Sequence, residues 1–496
     1  MSTRASSAFV RGLVRELRAR SSSASASASA SSSSSSSFVS MTHRAYANAV
    51  RHNISPMVTR RVTTMGAPKT SSAVGVVARE ARLFWSDAAR ATPRGGTIWE
   101  YIQKRSGASP LRAKRMYSTS SSGAVLAPST LVVGGERATR RVAWWLAGGC
   151  AWVFSMVVLG GATRLTRSGL SMTDWKFQYE HPPLTDEDWA REFEKYKQSP
   201  EFKKTNLGMT VDEYKFIYWM EYGHRMWGRV LGLYFVGPLA YFASQGYITS
   251  ALAKRLGVFF ILGATQGMIG WWMVKSGLEE QEFSYDCPRV SPYRLATHLT
   301  GAFTIYTGML WTTLSVISPL SPSQSPDATK MLIDASKRLR GVVHPLAGLI
   351  GVTAISGAYV AGMDAGRAYN TFPLMGGKVV PDEYWAQWEQ KGWRNFFENT
   401  AAVQFDHRVL ALTTLTAVSA VWLGHRGSHA LHPQSRMLLH ALLATTAGQV
   451  TLGVATLLYH VPVELGSAHQ ANALALFSVV LALMHSLRGP KRVPRI

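Results

Sequence analysis

Glu221-Tyr222-Gly223-His224-Arg225-Met226-Trp227-Gly228-Arg229 heads an apolar stretch that runs from Trp227 through Phe242. A membrane helix needs about 20 mostly apolar residues. This stretch qualifies only if its ionisable head is the outer end of a span. Read that way, eight spans alternate across a bilayer: 141–162, 221–243, 255–274, 293–317, 339–362, 400–423, 436–459 and 466–487. Charge tests the count. Arg137, Arg140 and Arg141; Lys254 and Arg255; Lys330, Lys337, Arg338 and Arg340; Arg426 and Arg436; and Arg488, Lys491, Arg492 and Arg495 all fall on one side. The opposite loops carry Asp186-Glu187-Asp188, Glu279-Glu280 and Asp382-Glu383. The positive-inside rule then puts both termini inside. The outer loops 163–220 and 363–399 are long and aromatic, which predicts lids over sites.

The same stretch recurs. His224-Arg225 in the second span answers His407-Arg408 in the sixth. Gln266-x-x-x-Gly270 answers Gln449-x-x-x-Gly453, and Ala296-Thr297-His298 answers Ser467-Ala468-His469. Gly160-Gly161-Ala162 answers Ser356-Gly357-Ala358, and 42 residues separate His from Gln in both halves. Four crossings bring each half in from the same side, so the repeat is parallel about the membrane normal. The expected fold is an all-α integral membrane protein of eight transmembrane helices. They form two parallel four-helix-bundle repeats, 131–320 and 321–496, each with room for a cofactor.

The net charge of +24 on 496 residues suggests a nucleic-acid partner until it is located. Residues 1–141 hold 22 Lys and Arg against 5 Asp and Glu, leaving only +7 for the rest. Arg4, Arg11, Arg15, Arg18 and Arg20 flank an apolar face of Phe9, Val10, Leu13, Val14 and Leu17, and a Ser/Ala run follows. That is the composition of an organellar transit peptide. We expect 1–130 to be a mitochondrial leader, disordered over most of its length, and no nucleic-acid partner. The inside is then the matrix. Two cysteines, Cys150 and Cys287, exclude a disulfide framework and a four-Cys metal site. Without Cys-x-x-Cys-His, any haem is held non-covalently.

Depth sorts the fourteen histidines. His224, His298, His407 and His469 each fall in the first turn of a span entering from the outer side. His344, His440 and His485 lie at inner ends, and the others lie in loops or the leader. Most histidines are surface or hydrogen-bonded core residues. Intramembrane ionisable groups are costly and usually functional. Zinc wants four close ligands, and neither half offers a third His or a Cys at this depth. Two imidazoles per apolar bundle favour haem iron bound through both axial positions. Gly160, Gly161, Gly223, Gly228 and Gly301 would let a macrocycle approach the backbone, or simply allow tight helix packing. Glu221 shares a helix face with His224, whereas Gln404 holds the matching place before His407. One half therefore has a carboxylate beside its site and the other does not. The competing reading of Glu221 is a helix-surface ion pair with Arg225.

The ordered motifs resemble the haem A synthase family. They are Gly160-Gly161-Ala162-Thr163-Arg164-Leu165-Thr166-x-Ser168-Gly169-Leu170-Ser171, Glu221-Tyr222-x-His224-Arg225, Tyr293-Arg294-Leu295-Ala296-x-His298-Leu299, His344-Pro345-x-x-Gly348, Gly362-x-Asp364-Ala365-Gly366, Asn370-Thr371-Phe372-Pro373-Leu374-Met375, Asp406-His407-Arg408 and His469-Gln470. The resemblance covers about residues 135–488, and the leader looks like the mitochondrial branch. It implies oxidation of a ring methyl of haem O to the formyl group of haem A, which serves cytochrome oxidase. It implies Glu221 as the catalytic residue, His224 and His298 about the substrate haem, and His407 and His469 as ligands of a haem b cofactor. Arg164, Arg225, Arg294, Arg408, Gln266 and Gln449 are candidate propionate or pocket contacts. Implied partners are membrane lipid, haem O synthase, a ferredoxin-type electron donor and oxidase assembly; a homo-oligomer is left open. The implied location is the mitochondrial inner membrane, with the haem sites toward the intermembrane space. Bacterial members with an outer-loop disulfide have a cysteine pair there, whereas only Cys287 stands on that face here. The alternative function is a non-enzymatic bis-His haem carrier or a membrane cytochrome passing electrons. A carrier would not need Glu221, and a transmembrane cytochrome would want haems at two depths.

Overall fold

Local signals start the helices where a chain entering a membrane needs them. Thr210 accepts a hydrogen bond from the Glu213 amide, and Glu213 reaches back to the Thr210 amide, a capping box that satisfies two orphan donors. Thr185 and Asp188 do the same one element earlier. Thr249 and Asn399 cap two more long helices through their side chains.

The computed structural model describes residues 131–175, 181–279, 288–317 and 326–488. In order, the helices are α1 (Gly135–Leu165), α2 (Asp186–Lys197), α3 (Pro200–Thr205), α4 (Val211–Ser244), α5 (Ser250–Leu278), α6 (Pro292–Ile317) and α7 (Pro326–Gly362). There follow the short α8 (Trp388–Lys391) and α9 (Asn395–Glu398), then α10 (Thr400–His425), α11 (Pro433–Leu458) and α12 (Val463–Ser486). Single 3-10 turns lie at Ala365–Arg367, Asp382–Trp385 and Gly392–Arg394. Among the described residues the only β pairing is two isolated bridges. The protein is an all-α membrane protein. By length and composition α1, α5, α11, α12 and the Lys330–Gly362 part of α7 can cross a membrane. The remaining long helices, α4, α6 and α10, coincide with the other three expected spans but do not reach the same apolarity.

Two expectations about helix starts need correction. α4 begins at Val211 rather than 221, because the Thr210–Glu213 capping box sets it ten residues earlier. None of the four histidines is in a first turn: His224 lies thirteen residues into α4, and His298, His407 and His469 lie six, seven and six residues into α6, α10 and α12, while His344 falls in the middle of α7 and not at its end. α7 begins at Pro326 rather than 339.

α1 packs on α4 and α6, and α5 packs on α6. α7 and α11 both flank α10, and α12 packs on α11 and α7. The seam between the two sets joins α1 to α12, and α6 to α7 and α12. Apolar cores seal the ends away from the four histidines. Val142, Leu146, Leu252, Leu256 and Val316 form one, and Leu339, Val343, Leu439, Leu442 and Leu483 form another. The loop after α1 folds, with the start of α4, into a cap with an aromatic core of Trp189, Phe193, Tyr196, Phe202, Tyr214 and Tyr218. Cys150 is buried, 3.5 Å from the Thr313 hydroxyl. The leader, Cys287, Glu280, Lys491, Arg492 and Arg495 lie outside the described residues.

Candidate functional site

Each of the four histidines lies against a glycine of the preceding long helix. A methyl group built on Gly160 would be 3.1 Å from His224 Nε2, and one on Gly270 would be 3.1 Å from His298 Cε1. On Gly357 it would be 3.3 Å from His407 Cε1, and on Gly453 2.9 Å from His469 Cε1. A side chain at Gly453 would force the His469 ring to move, and one at Gly160, Gly270 or Gly357 would press on its ring more tightly than ordinary van der Waals contact. Of the glycines expected around the histidines, Gly160 does this, Gly161 admits Gln470, and Gly301 admits Gln266. Gly223 faces open space and Gly228 meets Met156. Gly270, Gly357 and Gly453 were not singled out as cradles, although all three stand in the repeated motifs.

Polar neighbours hold the rings. Ser356 Oγ is 2.7 Å from His407 Nδ1. Gln266 Nε2 donates to the His298 carbonyl at 2.6 Å and lies 3.1 Å from its Nδ1. Gln449 Nε2 is 3.3 Å from His469 Nε2, and Asn472 steadies the Gln449 carbonyl at 2.8 Å. His407 and His469 face each other with ring centres 6.5 Å apart and planes at 83°. Two imidazoles on opposite sides of one metal ion, each at about 2 Å, have centres roughly 6 Å apart. His469 Nδ1 is buried without a hydrogen-bond partner, a cost that a bound group can remove. The residues thus fit an iron held between them. Among the described residues no three His, Cys, Asp or Glu come together as a metal cluster.

Glu221 is 3% exposed. Its Oε2 accepts from Ser171 Oγ at 2.7 Å and the Met172 amide at 2.9 Å, and its Oε1 accepts from Arg225 at 2.7 Å. Arg225 also donates to the Met172 and Asp174 carbonyls and stacks at 4.4 Å on Trp175. The Glu221–Arg225 pair therefore exists, but it is buried under the loop after α1 and is not a surface pair. Gln404 is equally buried, and Arg408 donates to its Oε1 at 3.0 Å and to the Tyr369 and Thr371 carbonyls. Here the loop contact is reversed: Gln404 Nε2 donates to the Ala365 and Ala368 carbonyls.

The other arginines are drawn into protein contacts. Arg164 pairs with Asp364 at 3.1 Å, joining α1 to the turn after α7, with Arg167 and Arg289 each 3.8 Å away from the same carboxylate. Arg294 donates to the Trp272 carbonyl and lies on that ring. Gln470 reaches across the seam to the Val157 carbonyl at 3.1 Å.

The cap contains a second buried carboxylate that the sequence reading missed. Glu201 is 5% exposed and accepts from the Tyr196 hydroxyl at 3.0 Å, which in turn accepts from Asn206. Burial, with a smaller push from Glu221, raises the Glu201 carboxyl to about 7, against the pull of Tyr196, Arg167 and Arg164. Nothing in its local pattern, Pro200-Glu201-Phe202, separates it from an exposed helix-start acid.

A cavity of about 230 Å³ opens beside Arg225, lined by Met172, Trp175, Trp271, Val274 and Lys275. It lies between α4 and α5, which barely touch, whereas their counterparts α10 and α11 pack closely.

The sequence profile of the COX15-CtaA cytochrome oxidase assembly proteins matches residues 143–481. The chain belongs to the haem A synthase family. It is 57% identical over 361 residues to heme A synthase COX15 of Arabidopsis thaliana, covering 73% of this chain and 77% of that one. It is 46% identical over 389 residues to heme A synthase COX15 of Bos taurus, covering 78% and 91%. It is also 41% identical over 370 residues to a heme A synthase-mitochondrial ferredoxin fusion protein of Schizosaccharomyces pombe, covering 70% and 60%. Within this haem A synthase framework, the glycine-backed histidines and the buried Glu221 are the features available for chemistry.

Proposed function

We infer that this chain carries out its family's reaction, oxidation of the ring methyl of haem O to the formyl group of haem A for cytochrome oxidase. The observation that carries the assignment of chemistry to the first half is Glu221. It is a buried carboxylate in the same helix as His224, where the second half has an amide. His224 and His298 hold the substrate haem. His407 and His469, 6.5 Å apart, hold a haem b. Haem iron, when bound, supplies one-electron chemistry. Taking a methyl to an aldehyde removes four electrons, so an electron sink and stabilisation of developing positive charge are both required. Three donors engage Glu221 and fix its direction, so it acts as a pre-organised negative charge more than as a mobile base. Arg225 and Trp175 hold the loop over it and limit water. Arg225, Arg408 and Arg164 retain cationic edges near the sites for haem propionates.

The eight long helices are read as two parallel four-helix repeats, both termini in the matrix and the histidines toward the intermembrane space. The leader addresses the chain to the mitochondrial inner membrane. A ferredoxin is the electron partner, a reading supported by the Schizosaccharomyces pombe fusion, and haem O synthase supplies the substrate. The test is to add haem O and a ferredoxin reducing system to the purified protein, identify its resident pigment by mass, and quantify haem A by chromatography. A protein that retains haem b but never forms haem A or an alcohol intermediate is a carrier, not a synthase.

A further inference from the structure

The end of the bundle away from the four histidines holds two arginines that the haem reading does not use. Arg488 follows α12 directly. Its Nε donates to the His485 carbonyl at 3.1 Å and its NH1 to Ser315 Oγ at 3.2 Å, and its guanidinium lies 5.3 Å from the Trp311 ring centre. Its NH2 rests on the His485 imidazole. That ring is itself buried, 3.2 Å from Ser315 Oγ and edge-on to Trp311 at 5.1 Å. All these partners are neutral side chains or backbone. A second cation, Arg255 of α5, stands at the same end: its neighbour Leu256 shares an apolar core with Val316, the residue after Ser315. Arg255 NH1 is buried without a hydrogen-bond partner. Neither arginine forms an ion pair among the described residues.

Like charges gathered at three helix ends, with a buried donor unsatisfied, are unfavourable unless an anion completes the set. A snorkelling arginine would carry its N–H groups into water, yet NH1 of Arg255 is buried. Arg255 lies near the start of α5, Arg488 just past the end of α12, and Trp311 and Ser315 near the end of α6. This is headgroup depth, and Trp311 is the residue type that anchors there. We propose that Arg255, Arg488 and Ser315 bind the phosphate of an anionic phospholipid at this face of the membrane. Basic pockets between helix ends suit such headgroups. Phosphate oxygens take the accessible edges of the half-buried Arg255 and of Arg488, the Arg255 guanidinium turning outward to bring NH1 to the anion, and the acyl chains lie along α5 and α6. The site joins an element of the first half to the end of the second, so the lipid tightens the seam. The inference does not depend on the haem assignments.

The full chain is purified in detergent and titrated with a phosphatidylglycerol, with phosphatidylcholine, and with inorganic phosphate. Thermal unfolding and native mass spectrometry read binding. Phosphatidylglycerol is expected to bind and raise the unfolding temperature. Arg255→Gln and Arg488→Gln should each weaken it by about five-fold or more. Arg255→Lys should retain most of the binding, and exposed Lys254→Gln should retain all of it. If Arg488→Gln fails to fold, Arg255→Gln decides, because its buried NH1 makes no internal bond to lose. Equal binding of phosphatidylcholine, or unchanged affinity in Arg255→Gln, overturns the proposal. Inorganic phosphate competing at equal affinity overturns the lipid assignment and leaves a soluble-phosphate site.

Discussion

The four long helices that carry Glu221 and the four that carry Gln404 solve the same packing problem with opposite polarity. Both place an Arg one turn after the acid or amide, and both Arg side chains clamp the outer loop through backbone carbonyls. In the first set the loop donates to Glu221 through Ser171 and Met172. In the second set Gln404 donates to the loop through Ala365 and Ala368. The carboxylate is therefore matched to its loop and is not an interchangeable variant of the amide. The sets differ at the side as well: α10 packs on α11, while α4 and α5 barely touch and leave the cavity beside Arg225. A closed half suits a resident cofactor. A half with a lateral gap suits a ligand that must enter and leave.

The largest expected break in that comparison is Glu221→Gln. Formyl production should fall by roughly ten- to ten-thousand-fold, measured as haem A formed from haem O. The amide also sets a donor against the Met172 amide or against Arg225, so the loop should become more accessible to protease. Gln404→Glu should leave haem A formation in the first half intact and should not make the second half a catalyst. It turns a carboxylate against two carbonyls and should lower stability instead. Wild-type turnover by Glu221→Gln at normal haem content would end the distinction between the halves.

Next in size is ligation. If His407 and His469 hold the proposed haem b, His407→Met or His469→Met should shift the haem spectrum of the purified protein and reduce haem retention. His344→Met should not, since His344 Nδ1 sits on the Arg340 carbonyl near the middle of α7, thirteen residues before the Gly357 that meets His407. Like behaviour of all three variants would detach haem from the outer-end histidines.

The cap exists in this form only on the first set, and Glu201 makes it pH-dependent. Its folded-state value is raised from 4.5 to about 7, chiefly by burial. The folded cap therefore holds a proton that the unfolded chain releases. Its stability is full below about pH 4.5, falls as pH rises, and levels off above about 7, a change on the order of 3 kcal/mol at most. Proteolysis of the loop 181–210 across that range is the measurement, and Glu201→Gln should flatten the profile. A cap that becomes more resistant as pH rises would contradict the sign.

The smallest change is at the glycines. Gly453→Ala and Gly357→Ala should each cost roughly 1–3 kcal/mol, because the new methyl meets a histidine ring. Gly448→Ala, on the same helix as Gly453 with nothing near its Cβ, should be neutral or slightly stabilising. Thermal unfolding with haem content as a second readout separates packing loss from ligand loss.

The long helical segments, the recurring histidine motifs and the difference between Glu221 and Gln404 were legible in the chain, because periodicity and motif spacing are local or additive properties. The helix starts were less so. The Thr210–Glu213 capping box extends α4 beyond its apolar run, and hydropathy is blind to a polar extension. Arg294 shows the limit for side chains. Its motif places it near His298, but the Trp272 carbonyl and ring take it.

The sequence by itself determined which segments are apolar, which motifs recur along the chain, and where Glu221 stands against Gln404. Only the tertiary structure decided that the His407 and His469 rings lie 6.5 Å apart, that His224, His298, His407 and His469 each rest on a glycine of another helix, and that Glu221 is buried with three donors. It also buried Glu201 inside the cap and brought Arg255 and Arg488 to the same end of the helices. The physical reason is range. Hydrophobicity and helix capping act on neighbours along the chain. Burial of a charge, the gap between two rings and the sum of two like charges depend on segments tens to hundreds of residues apart, and only packing brings those together.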